Sequence, residues 1–172
     1  MRRLLVWTAL ALLLPACGQM VCQPLPHCQA RDLSIRGLGA FVGGGGKLAW
    51  EFILTNRSNR TCTLSGYPAA VALDAKGEIV RGLSFEHQAG MIPGPEHQPM
   101  RTIRVKPGGH AWFQVRGYDG MGAEDITPCE IVAQIRITPP GSANPFQKTL
   151  DFHTCLGYPT TISFLVPGTP ER

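Results

Sequence analysis

The sequence is poor in charged residues and, beyond its amino terminus, in long apolar segments. Charged residues make up only 16% of the 172-residue chain, whereas about a quarter is typical of soluble proteins. This low fraction disfavours a charged helical bundle or a coiled coil. No apolar run after the amino terminus approaches the roughly 20 residues that a membrane-spanning helix needs, so the sequence predicts no internal transmembrane helix.

The common sequence motifs of enzymes and zinc sites are missing as well. There is no Gly-x-Ser-x-Gly, no His-Glu-x-x-His and no glycine loop followed by Lys-Ser or Lys-Thr, the patterns of hydrolases, zinc proteases and nucleotide-binding proteins. His153 lies near Asp151 in the sequence without an identifiable nucleophile. No Cys-x-x-Cys pair occurs, which argues against a structural zinc site. We therefore expect no enzymatic activity, with a hydrolase as a distant alternative.

Turn residues are abundant instead, with 20 glycines and 15 prolines, and the segments between them alternate apolar and polar residues. The clearest strand is residues 47–55, whose inward row is predicted to be Leu48, Trp50, Phe52 and Leu54. Further inward rows are predicted at Ala69, Val71 and Leu73; at Ile103 and Val105; at Ala111, Phe113 and Val115; and at Ile131, Ala133, Ile135 and Ile137. Short strands joined by such turns predict an immunoglobulin-like antiparallel β-sandwich of about seven to nine strands, with a small β-barrel as the alternative.

The amino terminus, residues 1–16, is typical of an export signal. A basic start is followed by an apolar run over residues 4–14 that is too short to span a bilayer. The sequence Leu-Pro-Ala-Cys at residues 14–17 resembles a bacterial lipobox, so we expect Cys17 to be lipidated; ordinary signal-peptidase cleavage nearby is the alternative. Gly18 after this cysteine favours the outer membrane, so the expected location is the periplasm or cell surface, as an outer-membrane lipoprotein.

The rest of the chain divides into a tether, a single domain and a tail. Residues 17–27 contain two prolines and no periodicity, which is typical of a tether; residues 28–166 form the predicted domain, and residues 167–172 a tail. Removing the signal lowers the basic residues from 16 to 14 against 12 acidic ones, so the net charge falls from +4 to +2. We therefore expect no nucleic-acid partner, and membrane contact only through the lipid anchor.

Several short motifs of the mature chain resemble those of one known family. They are Ala-x-Asp-Leu at residues 30–33, Cys-Thr-Leu-x-Gly-Tyr-Pro at residues 62–68, Pro-Gly-x-x-Ala at residues 107–111 and Thr-Pro-Pro at residues 138–140. In these motifs the chain resembles domain of unknown function 4232, which is found in secreted bacterial proteins and lipoproteins. The resemblance covers nearly all of the mature chain. It implies a secreted β-sandwich with four structural cysteines, and it carries no catalytic residue and no assigned activity.

The resemblance also implies how the six cysteines are used. Four of them are the implied disulfide partners: Cys28, Cys62, Cys129 and Cys155. We favour the pairs Cys28 with Cys62 and Cys129 with Cys155, because each joins elements close in chain order, although four cysteines allow three pairings. Cys22 is then left over; it is free, joined to another chain, or joined to Cys17 if that residue carries no lipid.

The long connection over residues 81–101 contains a candidate metal site. Its histidines and methionines are His87, Met91, His97 and Met100. Imidazole and thioether groups are ligands that Cu(I) selects, so a copper-binding or copper-carrying protein is the alternative to a protein without a cofactor. The same residues are also compatible with an ordinary polar loop that binds no metal.

A second candidate site lies on the predicted outer row of residues 110–116. Trp112 is predicted to stand near His110 and Arg116, and an exposed aromatic ring beside an arginine can anchor a protein or glycan partner. The alternative is that Trp112 packs against a neighbouring strand or under the long connection. The sequence as a whole favours a non-enzymatic interaction or accessory module whose partner is an unknown envelope protein or glycan.

Overall fold

The computed structural model describes residues 24–43, 47–88, 100–118, 129–155 and 159–170. Their regular structure is a single 3-10 turn, Ala30–Asp32, and eleven strands. The strands are β1 Leu33–Gly43, β2 Lys47–Asn56, β3 Cys62–Leu64, β4 Ala69–Leu73, β5 Phe85–His87, β6 Ile103–Val105, β7 His110–Tyr118, β8 Cys129–Thr138, β9 Phe146–Cys155, β10 Thr160–Ile162 and β11 Val166–Pro167. None of the described residues belongs to a helix that could cross a membrane.

The strands form three sheets that together make an all-β sandwich, as predicted. The large sheet has the order β1-β2-β7-β10-β5, and β11 pairs with β7 on the same side as β10. The second sheet has the order β4-β8-β9, and β3 pairs with β6. All pairs of strands are antiparallel except β5 with β10. The described strands do not close into a barrel, so the alternative architecture is wrong for this part of the chain.

The core lies between the large sheet and the β4-β8-β9 sheet. Every second residue over 48–54 of β2 and over 111–115 of β7 points into it and is apolar. The rings of Phe52 and Phe113 stack with their centroids 5.2 Å apart, and their cross-strand register places them directly opposite each other. The predicted inward rows of β2, β6 and β7 are all buried. Burying an aromatic pair of this kind stabilises a fold beyond the apolar area it removes from water.

Two predicted rows differ from the structure. In β4, Leu73 is fully buried as predicted, but Ala69 is exposed and Val71 is half-buried, and Ala70 and Ala72 pack against the core instead. In β8, the pairing with β9 shifts register between Val132 and Gln134. Two residues of β9 lie opposite one residue of β8 at this bulge, and the core-facing positions of β8 change from even to odd numbers across it. The core side chains of β8 are therefore Val132, Ile135 and Ile137.

The long connection and the tail also contain more structure than predicted. Strand β5 lies inside the predicted connection and pairs in parallel with β10, while residues 89–99 lie outside the described part. The predicted tail begins within β11, and the backbone N–H of Gly168 donates to the carbonyl of His110 at 3.0 Å. The folded body therefore extends past residue 166.

Candidate functional site

The predicted aromatic anchor on β7 is buried. Trp112 is only 7% exposed and packs with Ile53, Leu38 and Val166 on the outer face of the large sheet. Its register explains this, because Ile53 of β2 and Val166 of β11 are its direct neighbours on either side. The prediction of Trp112 as an exposed binding residue is therefore wrong, and the alternative of packing against neighbouring strands is correct.

Arg116 belongs to a hydrogen-bonded network on the same face. The side chain of Gln114 is almost fully buried and donates from Nε2 to Glu51 Oε1 at 3.1 Å. Arg116 donates from Nε and Nη2 to Gln114 Oε1, at 3.3 and 3.1 Å. The backbone N–H of Gln114 donates to Ser163 Oγ at 2.9 Å. These bonds hold the half-buried Arg116 along the sheet and join three segments: β2, β7 and the segment after β10.

His110 lies at the other end of β7. It is exposed, and its Nδ1 lies 3.0 Å from Thr55 Oγ1. Arg116 lies six positions after His110, which is about 20 Å along a strand. The structure therefore does not bring His110, Trp112 and Arg116 together into one binding surface.

Of the four predicted metal ligands, only His87 and Met100 lie in the described part of the chain, and both are exposed. The ring of His87 stacks on Tyr67, with the centroids 4.3 Å apart and the planes 6° from parallel. Met91 and His97 lie outside the described residues. Within the described ranges, no group of three His, Cys, Asp or Glu side chains could hold a metal. Copper binding stays a prediction.

The Cys-Thr-Leu-x-Gly-Tyr-Pro segment has a structural role at each described contact. Gly66 has a φ of +97°, a conformation that glycine adopts without strain, and its carbonyl accepts a hydrogen bond from Leu165 N at 3.1 Å. Tyr67 contacts Phe164 edge-on as well as His87. The segment therefore contacts both the residues that precede β11 and strand β5 within the long connection.

Cys28 and Cys62 form a disulfide bond, with their Cα atoms 5.0 Å apart. Both residues are buried. Two backbone hydrogen bonds flank the disulfide, from Cys28 N to Thr63 O at 2.9 Å and from Thr63 N to Pro26 O at 2.8 Å. The end of the tether is therefore held against β3 by one covalent bond and a short ladder.

The second pair of cysteines lies at the other end of the sandwich. The register of β8 and β9 makes Cys129 and Cys155 direct Cα partners. Opposite residues of antiparallel strands have Cα atoms about 4.5 or 5.5 Å apart, which is within the range that a disulfide spans. Their side chains lie outside the described part, so this bond stays a prediction. Cys17 and Cys22 also lie outside it.

A cleft of about 370 Å³ opens where edge strand β1 of the large sheet faces edge strand β9. The lining residues are Gly37, Gly39 and Ala40 of β1, Trp50, Glu51 and Phe52 of β2, and Lys148, Thr149 and Leu150 of β9. Sequence reasoning missed this cleft, although the glycines of β1 are a signal of close backbone approach.

The cleft depends on a bulge in β1. The pairing of β1 with β2 shifts register between Gly37 and Ala40, and Gly39, with a φ of +92°, lies within this shift. Gly37, Gly39 and Ala40 are exposed. Because these residues are small, the backbone of β1 is accessible along the wall of the cleft.

The sequence pattern of Domain of unknown function (DUF4232) matches residues 28–161. The chain belongs to this family. The match confirms the resemblance carried by the short motifs, and it begins at the first cysteine of the observed disulfide. The DUF4232 unit therefore spans the sandwich from its entry at Cys28 into β10. No curated protein and no solved structure matches the chain.

Proposed function

We propose that this DUF4232 protein is a non-enzymatic binding module of the cell envelope. It is exported, anchored through a lipid on Cys17, and holds an extended segment of a partner protein in the cleft between β1 and β9.

The observation that carries this proposal is the position of the cleft between two sheet edges. In the described part of the chain, β1 pairs with β2 alone and β9 pairs with β8 alone. The outer edge of each strand therefore offers backbone N–H and C=O groups to an added strand. A peptide that pairs with such an edge gains affinity from main-chain hydrogen bonds and specificity from pockets for alternate side chains.

The lining of the cleft fits an extended segment whose backbone approaches β1 closely. The glycines of β1 are exposed and small, so they allow a second backbone to come near, while the buried Trp50 and Phe52 close the cleft from the core side. Lys148 of β9 is half-buried and adds a basic residue to the lining, and a charge at an interface fixes the orientation of a partner more than it adds affinity.

The disulfide between Cys28 and Cys62 supports the export part of the proposal. Disulfides persist in oxidising compartments such as the bacterial periplasm and are rare in the cytosol. The bond closes directly after the tether, which fits a domain suspended from a lipidated amino terminus.

Crosslinking tests the cleft. A photo-crosslinking amino acid at Ala40 or Thr149, both exposed beside the cleft, is expected to capture the same protein in intact cells, because both positions contact one bound segment. Position Ala75, in the exposed turn after β4, is the matched control and is expected to capture nothing comparable. Mass spectrometry of the crosslinked peptides should map both crosslinks to one stretch of the partner. Equal capture from Ala75, or none from the cleft positions, contradicts the binding site.

Metabolic labelling tests the anchor. Cells that express the full chain are expected to incorporate labelled palmitate into it, and Cys17→Ala should abolish the label. Cys22→Ala is the matched control, because it removes a cysteine five positions away in the same segment, and it should keep the label. An unlabelled wild-type chain, or a label that survives Cys17→Ala, refutes lipidation at this residue.

A further inference from the structure

Basic residues gather at one end of the sandwich, where the tether enters. We call this end the tether pole and define it by residues 24–32, 57–61 and 106–109. Its basic residues are Arg31, Arg57, Arg60 and Lys106, and all four are exposed. Its acidic residue is Asp32, whose side chain is only 14% exposed.

Hydrogen bonds hold the turns of the tether pole side by side. Arg57 N donates to Asp32 O at 2.7 Å, and Arg60 Nη2 lies 3.9 Å from Asp32 Oδ1. Asn56 Nδ2 donates to Arg60 O at 2.8 Å and to Val105 O at 2.9 Å. The positive charges therefore stand on turns that are fixed relative to one another.

The charge of the molecule is concentrated at this pole. Four basic residues against one acidic residue give the tether pole an excess of three positive charges, whereas 14 basic against 12 acidic residues give the whole mature chain an excess of two. Strand β7 ends at the opposite pole of the sandwich, and strand β8 begins there. Residues 119–128, which connect them, contain three acidic residues and no basic one.

The tether keeps the pole close to the membrane. Residues 18–27 contain no Asp, Glu, Lys or Arg, so no acid precedes the pole. Residues 18–23 alone separate Cys17 from the pole, and fully extended these six residues reach at most about 22 Å. Electrostatic attraction at physiological salt decays over about 8 Å. A domain on this tether therefore samples the range in which the bilayer attracts it.

We propose that the tether pole binds the anionic phospholipid headgroups of the anchoring membrane, through Arg31, Arg57, Arg60 and Lys106. The contact orients the sandwich with this pole toward the bilayer and with the end of β7 and the start of β8 away from it. The orientation rests on the proposed anchor at Cys17, whereas the affinity for headgroups does not. The inference replaces the expectation that only the lipid contacts the membrane.

Vesicle binding by the unlipidated mature chain tests the proposal. The chain from Gly18 onward is exported behind a cleavable signal, purified, and sedimented with vesicles of phosphatidylglycerol and phosphatidylcholine or of phosphatidylcholine alone. The triple variant Arg57→Gln, Arg60→Gln, Lys106→Gln is expected to bind the anionic vesicles at least about tenfold more weakly than wild type, since each basic residue near an anionic surface contributes separately.

A second triple variant controls for net charge. Lys47→Gln, Lys76→Gln, Arg81→Gln removes the same charge from exposed positions outside the pole and should bind nearly as well as wild type. Equal losses of vesicle affinity in the two variants overturn the proposal. Wild-type binding that is the same with and without phosphatidylglycerol, or the same at low and high salt, overturns it as well. The wild-type salt and lipid comparison remains decisive if a variant fails to fold.

Two further outcomes separate this proposal from related ones. Displacement of the chain from anionic vesicles by millimolar inorganic phosphate would assign the pole to free phosphate and overturn it. Vesicle binding without palmitate label in cells would refute the anchor while leaving the headgroup site standing. A palmitate label without vesicle binding would support the anchor and overturn the headgroup site.

Discussion

Replacing Cys28 and Cys62 together by serine is expected to lower the free energy of unfolding by about 4 kcal/mol. The disulfide closes a loop with a sequence separation of 34, and its main effect is to restrict the unfolded chain. The two buried positions would also have to accommodate hydroxyl groups where sulfur atoms now lie. Urea unfolding of the mature chain measures the loss as a lower midpoint concentration.

The second cysteine pair is the natural comparison. If Cys129 and Cys155 are also joined, their double serine variant should be destabilised by a smaller amount, because a shorter loop restricts the unfolded chain less. Peptide mapping without reductant reports which cysteines are joined in each protein. An unchanged urea midpoint in the Cys28→Ser, Cys62→Ser variant would show that the bond adds nothing to stability.

Replacing Asn56 by alanine is expected to cost about 3 kcal/mol, because the change removes several buried hydrogen bonds and leaves their partners unsatisfied. Asn56 is 1% exposed. Its Nδ2 donates to the carbonyls of Arg60 and Val105, and its Oδ1 accepts from the backbone N–H and hydroxyl of Ser58. One side chain thus joins the end of β2 to the turn that follows it and to the end of β6. Thermal or urea unfolding measures the loss.

Two variants show which bonds carry the effect. Ser58→Ala removes only the hydroxyl bonds and should cost about 1 kcal/mol. Asn56→Asp keeps the size and the oxygen but loses both donors and places a carboxylate beside two carbonyl oxygens, so it should be no more stable than Asn56→Ala. A wild-type midpoint for Asn56→Asp would contradict the role of the two donated bonds.

Strands whose faces differ strongly in side-chain size could be predicted from the sequence. In β2 and β7 the predicted inward positions are all apolar, whereas the outward positions include polar residues such as Glu51, Gln114 and Arg116, and the predicted core rows are the observed ones. Strand β4 contains Ala69, Ala70 and Ala72, so its two faces hardly differ in hydrophobicity. In β8 the alternation holds on each side of the bulge, but a single-sequence pattern does not reveal a register shift that the partner strand imposes.

The candidate site could be predicted much less well. Trp112 occupies an outward position in the alternation, as predicted, but its burial comes from Ile53 and Val166, which are distant in sequence. The cleft depends on the edge positions of β1 and β9, which follow from the order of strands in two sheets. Local pattern indicates which face of a strand is apolar; it does not indicate which strands end a sheet.

The position of the disulfide has a mechanical consequence. Tension on the chain before Cys28 reaches Cys62 through a covalent bond, and so enters the sandwich at β3. Strand β1 begins only at Leu33, so the disulfide transmits part of this load to β3 before the main chain reaches β1. An edge strand pulled from its end separates one hydrogen-bonded pair at a time, and sharing the load with β3 lowers the force on the first pair of β1. We therefore expect the disulfide to protect the wall of the cleft when the chain is pulled from its amino-terminal side.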